Sequence, residues 1–428
     1  MKRALIITYY WPPAGGPGVQ RWLKLVTYFK EFGIEPIVYI PENPHYPLVD
    51  KSILSEVPKG IEILRYPIKE PYGFAKVFSK KKTKQISSGI ITNKKQSLIE
   101  KLMLWVRGNF FIPDARIGWV KPSVAYLQKY IAENQVDVII TSGPPHSLHL
   151  IGSNLKELLG VKWIADFRDP WTTIHYHKSL QLSKSSEDKH KKLEAQVLNN
   201  ADRVVVTSPS TKKEFETITE TPIEVITNGY DFSEKINRNL DTSFSIVHIG
   251  SLLSERNPTI LWEVLSEICK ESELFTKALN IKLVGTVSED VIKSIKKFGL
   301  HNNCDVMGYV SHKKAMQLQH NAQVLLMLEI DRPETRAIIP GKLFEYLAAK
   351  RPILALGPKG SDVIDIISKT KSGYYFTYSE KDRLRDQILS CFEDYKLGNL
   401  TSTSQNILKY SRRELTKEMS ELIKKTAL

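Results

Sequence analysis

The sequence predicts an α/β protein of two doubly wound parallel-sheet domains facing a central cleft. Three observations carry this expectation: the length, a regular alternation of short apolar runs with amphipathic helices, and a polar break near the middle. At 428 residues the chain exceeds one ordinary core and suits two domains of roughly 150–230 residues each.

The strand candidates of the first half are RALIIT (3–8), IEPIVYI (34–40), IEILRY (61–66), VDVIIT (136–141), KWIADF (162–167), RVVVTS (203–208) and IEVITN (223–228). Most are apolar on both faces, as strands covered by helices on both sides must be. Between the first two, Val19, Trp22, Leu23, Val26 and Phe29 share one helical face, and Gly33 follows as a stop. Strand, glycine-rich turn, helix and strand form the opening unit of a doubly wound sheet. The second half repeats the pattern with FSIVHIG (244–250), NIKLVG (280–285), CDVMGY (304–309), VLLMLE (324–329), PILALG (352–357) and GYYFTY (373–378). Asn257 and Pro258 are expected to cap and start the helix carrying Leu261, Val264, Leu265 and Ile268. The polar stretch 231–243 reads as the linker. The expected order is a domain at 1–230, the linker, a domain at 244–403 and a C-terminal helix at 404–428. The sequence assigns that helix to neither domain, packing back on the first being one option.

Composition narrows the class. Cys269, Cys304 and Cys391 form no CxxC pair, which argues against a disulfide scaffold or structural zinc and for a reducing cytoplasm. The N-terminal MKRALIITYYWPP reads as a first strand rather than a signal peptide. No apolar run reaches about 18 residues, so no bilayer span is expected.

The formal net charge of +14 implies anionic partners. Lys76, Lys80, Lys81, Lys82, Lys84, Lys94, Lys95, Lys101 and Arg107 stand against the single acid Glu100, and SLIEKLMLWVRGNFF ends the stretch. Basic charge interleaved with Trp and Phe is a membrane-surface composition, so Lys76–Arg107 is either an anionic-membrane contact or a solvated loop followed by a core helix. Nucleic acid is not expected, since no recognition motif accompanies the charge. The expected location is cytoplasmic, with peripheral attachment to the inner face of the plasma membrane as an extension.

Candidate chemistry falls in loops after strands, where open α/β sheets bind ligands. Gly15, Gly16 and Gly18 precede a helix N-terminus, whose free amides and dipole favour a phosphate or another oxygen-rich ligand. His146, in TSGPPHS, sits where strand gives way to helix and is expected to titrate near neutrality; helix capping is its structural alternative. The strand end ADFRDPW supplies Asp166, Arg168 and Asp169. These charges are costly to bury unless they pair or meet a ligand. An acceptor hydroxyl is one use, with Asp169 as orienting group or base, and Arg168–aspartate pairing is the other. In the second half, Arg256 lies just before a helix, and Pro340, Gly341, Lys342, Leu343 and Glu345 open another. Two cations near helix starts make a pyrophosphate cradle. Glu345, one turn deeper, is suited to two ribose hydroxyls, and a Lys–Glu surface pair is its structural alternative.

Together these segments resemble the GT-B glycosyltransferases with two Rossmann-like domains, specifically the retaining family 4-like group that includes sucrose-phosphate synthases and many bacterial polysaccharide and lipid glycosyltransferases. The likeness runs through PPAGGPGVQR, TSGPPHS, DFRDPW, VITNGYD and, most specifically, PGKLFEYLAAKRPILAL. It implies a UDP- or GDP-linked sugar donor held mainly by the C-terminal domain and a saccharide or lipid-linked acceptor held mainly by the N-terminal one. It further implies transfer with retention, in cell-surface polysaccharide or glycoconjugate synthesis, with no metal or other cofactor. By this resemblance Glu345 is the second of a glutamate pair and binds ribose, and Arg256 contacts the donor phosphates. Gly308 and Tyr309 line the base pocket, Gly16 lies near the donor phosphate and sugar, and His146 binds the donor sugar. The chain departs from the pattern twice. Ala337 replaces the first glutamate, moving its contact to Glu334 or Arg336, and Ser251 follows Gly250 where an arginine is usual. The rival readings are a nucleotide-sugar epimerase of the same architecture and a non-catalytic nucleotide-sugar-binding scaffold.

Overall fold

The computed structural model describes residues 1–70, 98–174, 177, 180–231 and 239–428. Lys76, Lys80, Lys81, Lys82, Lys84, Lys94 and Lys95 of the basic stretch lie outside them. The chain forms two units. The first comprises Met1–Asn228 with Arg412–Leu428, and the second is Gly229–Ser411.

Unit 1 is built on β1 (Lys2–Thr8), β2 (Ile34–Pro41), β3 (Glu62–Tyr66), β4 (Val138–Gly143), β5 (Lys162–Phe167), β6 (Arg203–Val206) and β7 (Ile223–Val225). Its helices are α1 (Pro17–Tyr28), α2 (Leu98–Phe110), α3 (Ile117–Glu133), α4 (Ser147–Leu159), α5 (Lys184–Asn200) and α6 (Pro209–Phe215). The strands are all parallel in the order β3-β2-β1-β4-β5-β6-β7. The order reverses between β1 and β4, and ligand crevices of open α/β sheets lie outside the strand ends at such a point.

Side chains alternate across a strand, and both faces of this sheet are buried. Leu5, Ile7 and Ile139 face Trp119, Leu127, Ile151 and Leu155. Ala4, Ile6, Val138 and Ile140 face Trp22, Leu23, Val26 and Phe29. Helix α1 arises from that apolar stripe, starts from Gly16 at φ 101° with Pro17 in its first turn, and closes through a 3₁₀ turn onto Gly33 at φ 75°. A left-handed stop of this kind suits glycine, which has no Cβ to clash.

Unit 2 repeats the scheme with β8 (Phe244–Ile249), α7 (Thr259–Glu271), α8 (Glu273–Ala278), β9 (Leu279–Val284), α9 (Glu289–Lys297) and β10 (Cys304–Gly308). It continues with α10 (His312–Asn321), β11 (Val324–Leu328), α11 (Lys342–Ala349), β12 (Ile353–Leu356), α12 (Asp362–Thr370), β13 (Gly373–Phe376) and α13 (Lys381–Lys396). The order is β10-β9-β8-β11-β12-β13, so the reversal falls between β8 and β11. Each sequence-predicted strand is present to within a few residues at its ends.

Two local expectations need correction. Asn257 does not cap α7, which starts at Thr259 after Pro258. The Asn257 amide is used elsewhere, accepting from Trp262 Nε1 at 2.8 Å and donating to Ser294 Oγ at 2.8 Å. The last helix, α14, spans Arg412–Thr426 rather than starting at 404. Residues 404–411 stay with unit 2 because Ile407 and Tyr410 pack into its core, where Tyr230 Oη donates to the Ile407 carbonyl at 3.2 Å. Leu415, Met419, Leu422 and Ile423 then form the stripe by which α14 joins the unit 1 core around Trp22 and Val26.

Candidate functional site

In unit 2 the residues around the reversal point gather about Lys342, the first residue of α11. Gly250 closes β8 at φ 108°, and a Cβ there would stand 3.4 Å from Lys342 Nζ. Gly285, at φ 122°, packs so closely on the Gly250 carbonyl that a Cβ would lie 2.6 Å from its oxygen. Two glycines therefore create the corner in which the ammonium sits. Lys342 Nζ donates to the Ile249 carbonyl at 3.0 Å and lies 3.4 Å from His248 Nε2. Burial first, then the nearby Arg256 guanidinium, pull the amine down to about 7, with Glu345 opposing. A buried cationic nitrogen with no carboxylate in ion-pair range among the described residues is poised for an anion.

Arg256 ends the 3₁₀ turn Ser254–Arg256 after β8. Its Nε is buried and meets no hydrogen-bond partner among the described residues. Burial works against its charge, while Tyr378, Glu329 and Glu255 support it. A buried, unsatisfied donor of this kind asks for an explanation, and a ligand oxygen is a sufficient one.

Glu345 is half-buried. Its Oε2 accepts from Gln319 Nε2 at 2.9 Å and its Oε1 stands 3.5 Å from His312 Nε2, both on α10. Gly308 ends β10 at φ 66° with open space where a Cβ would go, and Tyr309 is 89% exposed. Ser251 is exposed. Pro340 and Gly341 form the turn into α11, their carbonyls accepting from the amides of Leu343 and Phe344 at 3.0 and 3.2 Å. The Leu343 side chain belongs to the apolar core, and its amide is already bonded. It is therefore corrected from a substrate contact to a packing residue. Glu334 lies in the 3₁₀ turn Pro333–Thr335. Arg336 is exposed and sits against Gly360, after β12.

Two groups at this edge were not anticipated. Glu329 follows β11 and is buried. It accepts from Tyr375 Oη at 2.8 Å and Ser361 Oγ at 3.0 Å. Burial pushes it up to about 7 against these hydrogen bonds and the Arg256 charge. The carboxylate closing the apolar run VLLMLE was the available signal. His248 is the other, a polar residue inside the strand FSIVHI.

In unit 1 the corresponding edge carries Gly16 at the start of α1, with nothing within 4 Å of a Cβ. Gly15 packs beside Leu48, and its amide donates to the Leu48 carbonyl at 3.0 Å. A Cβ on Gly18 would overlap the Arg168 guanidinium. Arg168 Nε donates to the Gly143 carbonyl at 3.3 Å, and Nη2 donates to that of Pro144. Asp169 is half-buried beside it.

Asp166 requires correction. It is 0% exposed, and its carboxylate takes Arg21 Nη2 at 2.8 Å, Ser142 Oγ at 2.8 Å and Trp22 Nε1 at 3.0 Å. It is a core ion pair, and its cation is Arg21 rather than Arg168.

His146 occupies the cap position of α4 without capping it. Asp114 caps instead, accepting from the Ser147 amide at 2.8 Å and its hydroxyl at 2.9 Å. The imidazole stacks on Trp171 with ring centroids 4.9 Å apart, and neither ring nitrogen has a partner among the described residues. Burial, then His149, Arg168, His177 and His190, hold it well below its ordinary value. The expectation of titration near neutrality is thus corrected: burial disfavours the charged form of His146. His149 packs, stacked 4.2 Å from Phe167. The described residues contain no group of three or more His, Cys, Asp or Glu placed to hold a metal ion.

Comparison with known proteins agrees with this fold. The family model described as Glycosyltransferase Family 4 matches residues 89–234, and that described as Glycosyl transferases group 1 matches 230–414. No curated protein matches the chain significantly in sequence. Among solved structures, a glycosyltransferase from Rickettsia africae is 14% identical with a TM-score of 0.60, over 99% of this chain and 98% of its own. Anabaena HepE, solved with UDP-glucose, is 14% identical at a TM-score of 0.61, over 99% and 100%. Staphylococcus aureus TarM, solved with UDP, is 14% identical at 0.56, over 100% and 99%. Two family models that together cover most of the chain, on two parallel sheets whose first six strands follow one order, establish that the chain belongs to the GT-B glycosyltransferases of the family 4 type.

Proposed function

We propose that the protein transfers a sugar from a UDP- or GDP-linked donor to a saccharide or lipid-linked acceptor with retention, without a metal ion, in the synthesis of cell-surface polysaccharide or glycoconjugate. The observation that carries the reading is the cationic corner of unit 2, where Lys342 and Arg256 stand at the β8 end beside a glycine turn. Such a corner fits a diphosphate. Glu345 takes the ribose hydroxyls, and unit 1 offers Asp169 to the acceptor hydroxyl.

In the reaction the acceptor oxygen forms a bond to the anomeric carbon as the bond from that carbon to the diphosphate breaks on the same face. The departing phosphate oxygen takes the acceptor's proton, and nucleoside diphosphate leaves. Lys342 and Arg256 stabilise the charge that develops on it, a contribution of position and electrostatics that needs no protein nucleophile. The solved complexes of HepE with UDP-glucose and TarM with UDP support a nucleotide-sugar donor. A thermal-shift screen against nucleoside diphosphates and their sugars tests the reading. A ligand at 100 times its Kd adds roughly 2.7 kcal/mol of apparent stability. Binding of none of them, confirmed by calorimetry, ends it.

The lipid-linked acceptor draws support from α2. Leu102, Trp105, Val106 and Phe110 are exposed along one face, while Leu104 is buried and Gly108 packs on Leu180 and Leu182. No described helix is long and apolar enough to cross a membrane. An apolar stripe with Trp at the end of a basic segment suits the surface of an anionic bilayer, here the inner face of the plasma membrane. Co-sedimentation with phosphatidylserine or cardiolipin vesicles at low salt is expected, with little binding to phosphatidylcholine alone and loss of binding in Trp105→Glu/Phe110→Glu. Equal recovery with neutral vesicles, or none with either, removes the membrane contact.

A further inference from the structure

His248 is wholly buried in β8, where an apolar side chain would cost less. Its Nδ1 stands 3.0 Å from the Leu326 carbonyl of β11. A carbonyl only accepts, so Nδ1 carries the hydrogen of the neutral ring and Nε2 keeps its lone pair. Tyr346 Oη reaches the same carbonyl at 3.4 Å and accepts from the Ile249 amide at 3.0 Å, so β8, β11 and α11 are tied around the ring. Burial, then the neighbouring Lys342 charge and more weakly that of Arg256, hold the ring well below its ordinary value, against hydrogen bonding to the Leu326 and Ser251 backbones. With Nδ1 given to the 3.0 Å contact, Nε2 is the nitrogen that faces Lys342 Nζ at 3.4 Å, and the Ser251 backbone also lies within reach of the ring. With the Ile249 carbonyl taking a second N–H at 3.0 Å, one of the three ammonium hydrogens is left over among the described residues.

We infer that His248 is a positioning residue for the transfer reaction: its Nε2 lone pair and the Ile249 carbonyl hold the Lys342 ammonium at the Gly250 corner, so that the remaining N–H meets an oxygen of the donor diphosphate. The inference rests on the reading of unit 2 as the donor site. Lysine is a flexible point charge, and a fixed acceptor opposite it removes much of the motion that binding would otherwise have to arrest. Among the described residues the titratable groups that face Lys342 are Arg256 from the turn after β8, His248 from β8 and Glu345 from its own helix. Burial and Arg256 pull the amine down to about 7, so diphosphate affinity is expected to fall as pH rises through that value and the ammonium loses its proton.

Two experiments test this. Nitrogen-15 NMR of the unliganded wild-type protein reads the tautomer directly. The Nδ1–H form is expected, and an Nε2–H ring, unable to accept from Lys342, overturns the proposal whether or not any nucleotide binds. Affinities for UDP, GDP and inorganic pyrophosphate are then measured from pH 6 to 9. His248→Met, similar in size but without the acceptor, is expected to bind about tenfold more weakly at pH 7, with the alkaline loss of affinity moved to lower pH. His248→Gln, whose amide oxygen reaches the Nε2 position, should stay within about twofold of wild type by restoring that acceptor. In a Lys342→Met background, His248→Met should add nothing. Additive losses, or an unchanged pH profile in His248→Met, overturn the inference. If the wild-type protein binds none of the three probes, the donor-site reading fails instead, and the tautomer alone decides the geometry.

Discussion

Arg256→Ala is expected to lower the rate of sugar transfer about 10²- to 10³-fold while the protein keeps its fold. The guanidinium ends an exposed loop rather than a core element, so little packing is lost with it. What is lost is a buried Nε donor that meets no hydrogen-bond partner among the described residues. Such a group interacts most strongly with charge that develops during reaction, because no solvent must be displaced when the diphosphate begins to leave. The effect should therefore fall on kcat as well as on kcat/KM. Glu345→Ala is different in kind. Its carboxylate is proposed to bind the ribose equally in ground and transition states, so the donor KM should rise roughly 10- to 100-fold with a smaller change in kcat. Steady-state kinetics with the donor found in the binding screen, alongside thermal unfolding of each variant, separates these outcomes. Wild-type kcat/KM in a folded Arg256→Ala or Glu345→Ala protein excludes that residue from the site.

The fold was legible because a parallel sheet buried on both faces writes itself as apolar runs, such as VDVIIT and VLLMLE, separated by amphipathic helices. The loops after strands were equally visible, which is why Gly16, Arg256 and Lys342 could be named at strand ends. What failed depended on partners remote in sequence. The sequence leaves Asp166 between a ligand contact and a pair with Arg168, because its true partner Arg21 stands 145 residues away, beyond any local pattern. His146 was expected to titrate because nothing in TSGPPHS shows that Trp171 covers it. Asn257 carries a cap residue's chemistry, yet Trp262 and Ser294 compete for its amide and win. Glu329 and His248 were passed over because a single polar residue in an apolar strand gives no hint of what it faces across the sheet.

The ion pair beneath unit 1 gives the second large effect. Asp166→Ala leaves Arg21 buried at 6% exposure, with the Thr227 carbonyl at 2.9 Å as its remaining acceptor among the described residues and Trp22 Nε1 and Ser142 Oγ deprived of theirs. An uncompensated buried charge of this kind costs about 3–5 kcal/mol, a large share of the stability of an ordinary domain. Urea unfolding followed by tryptophan fluorescence should show the unit 1 transition at a clearly lower midpoint, with the unit 2 transition unmoved. Removing both charges together tests the cause. Arg21→Met/Asp166→Leu leaves no orphaned ion, and replacing a whole buried pair by apolar side chains is often nearly neutral, so most of the loss should return. If the double variant is as unstable as Asp166→Ala, the cost lies in packing around Trp22 and not in the stranded charge. If Asp166→Ala unfolds like wild type, the carboxylate is dispensable to the core, and its earlier reading as a ligand group is open again.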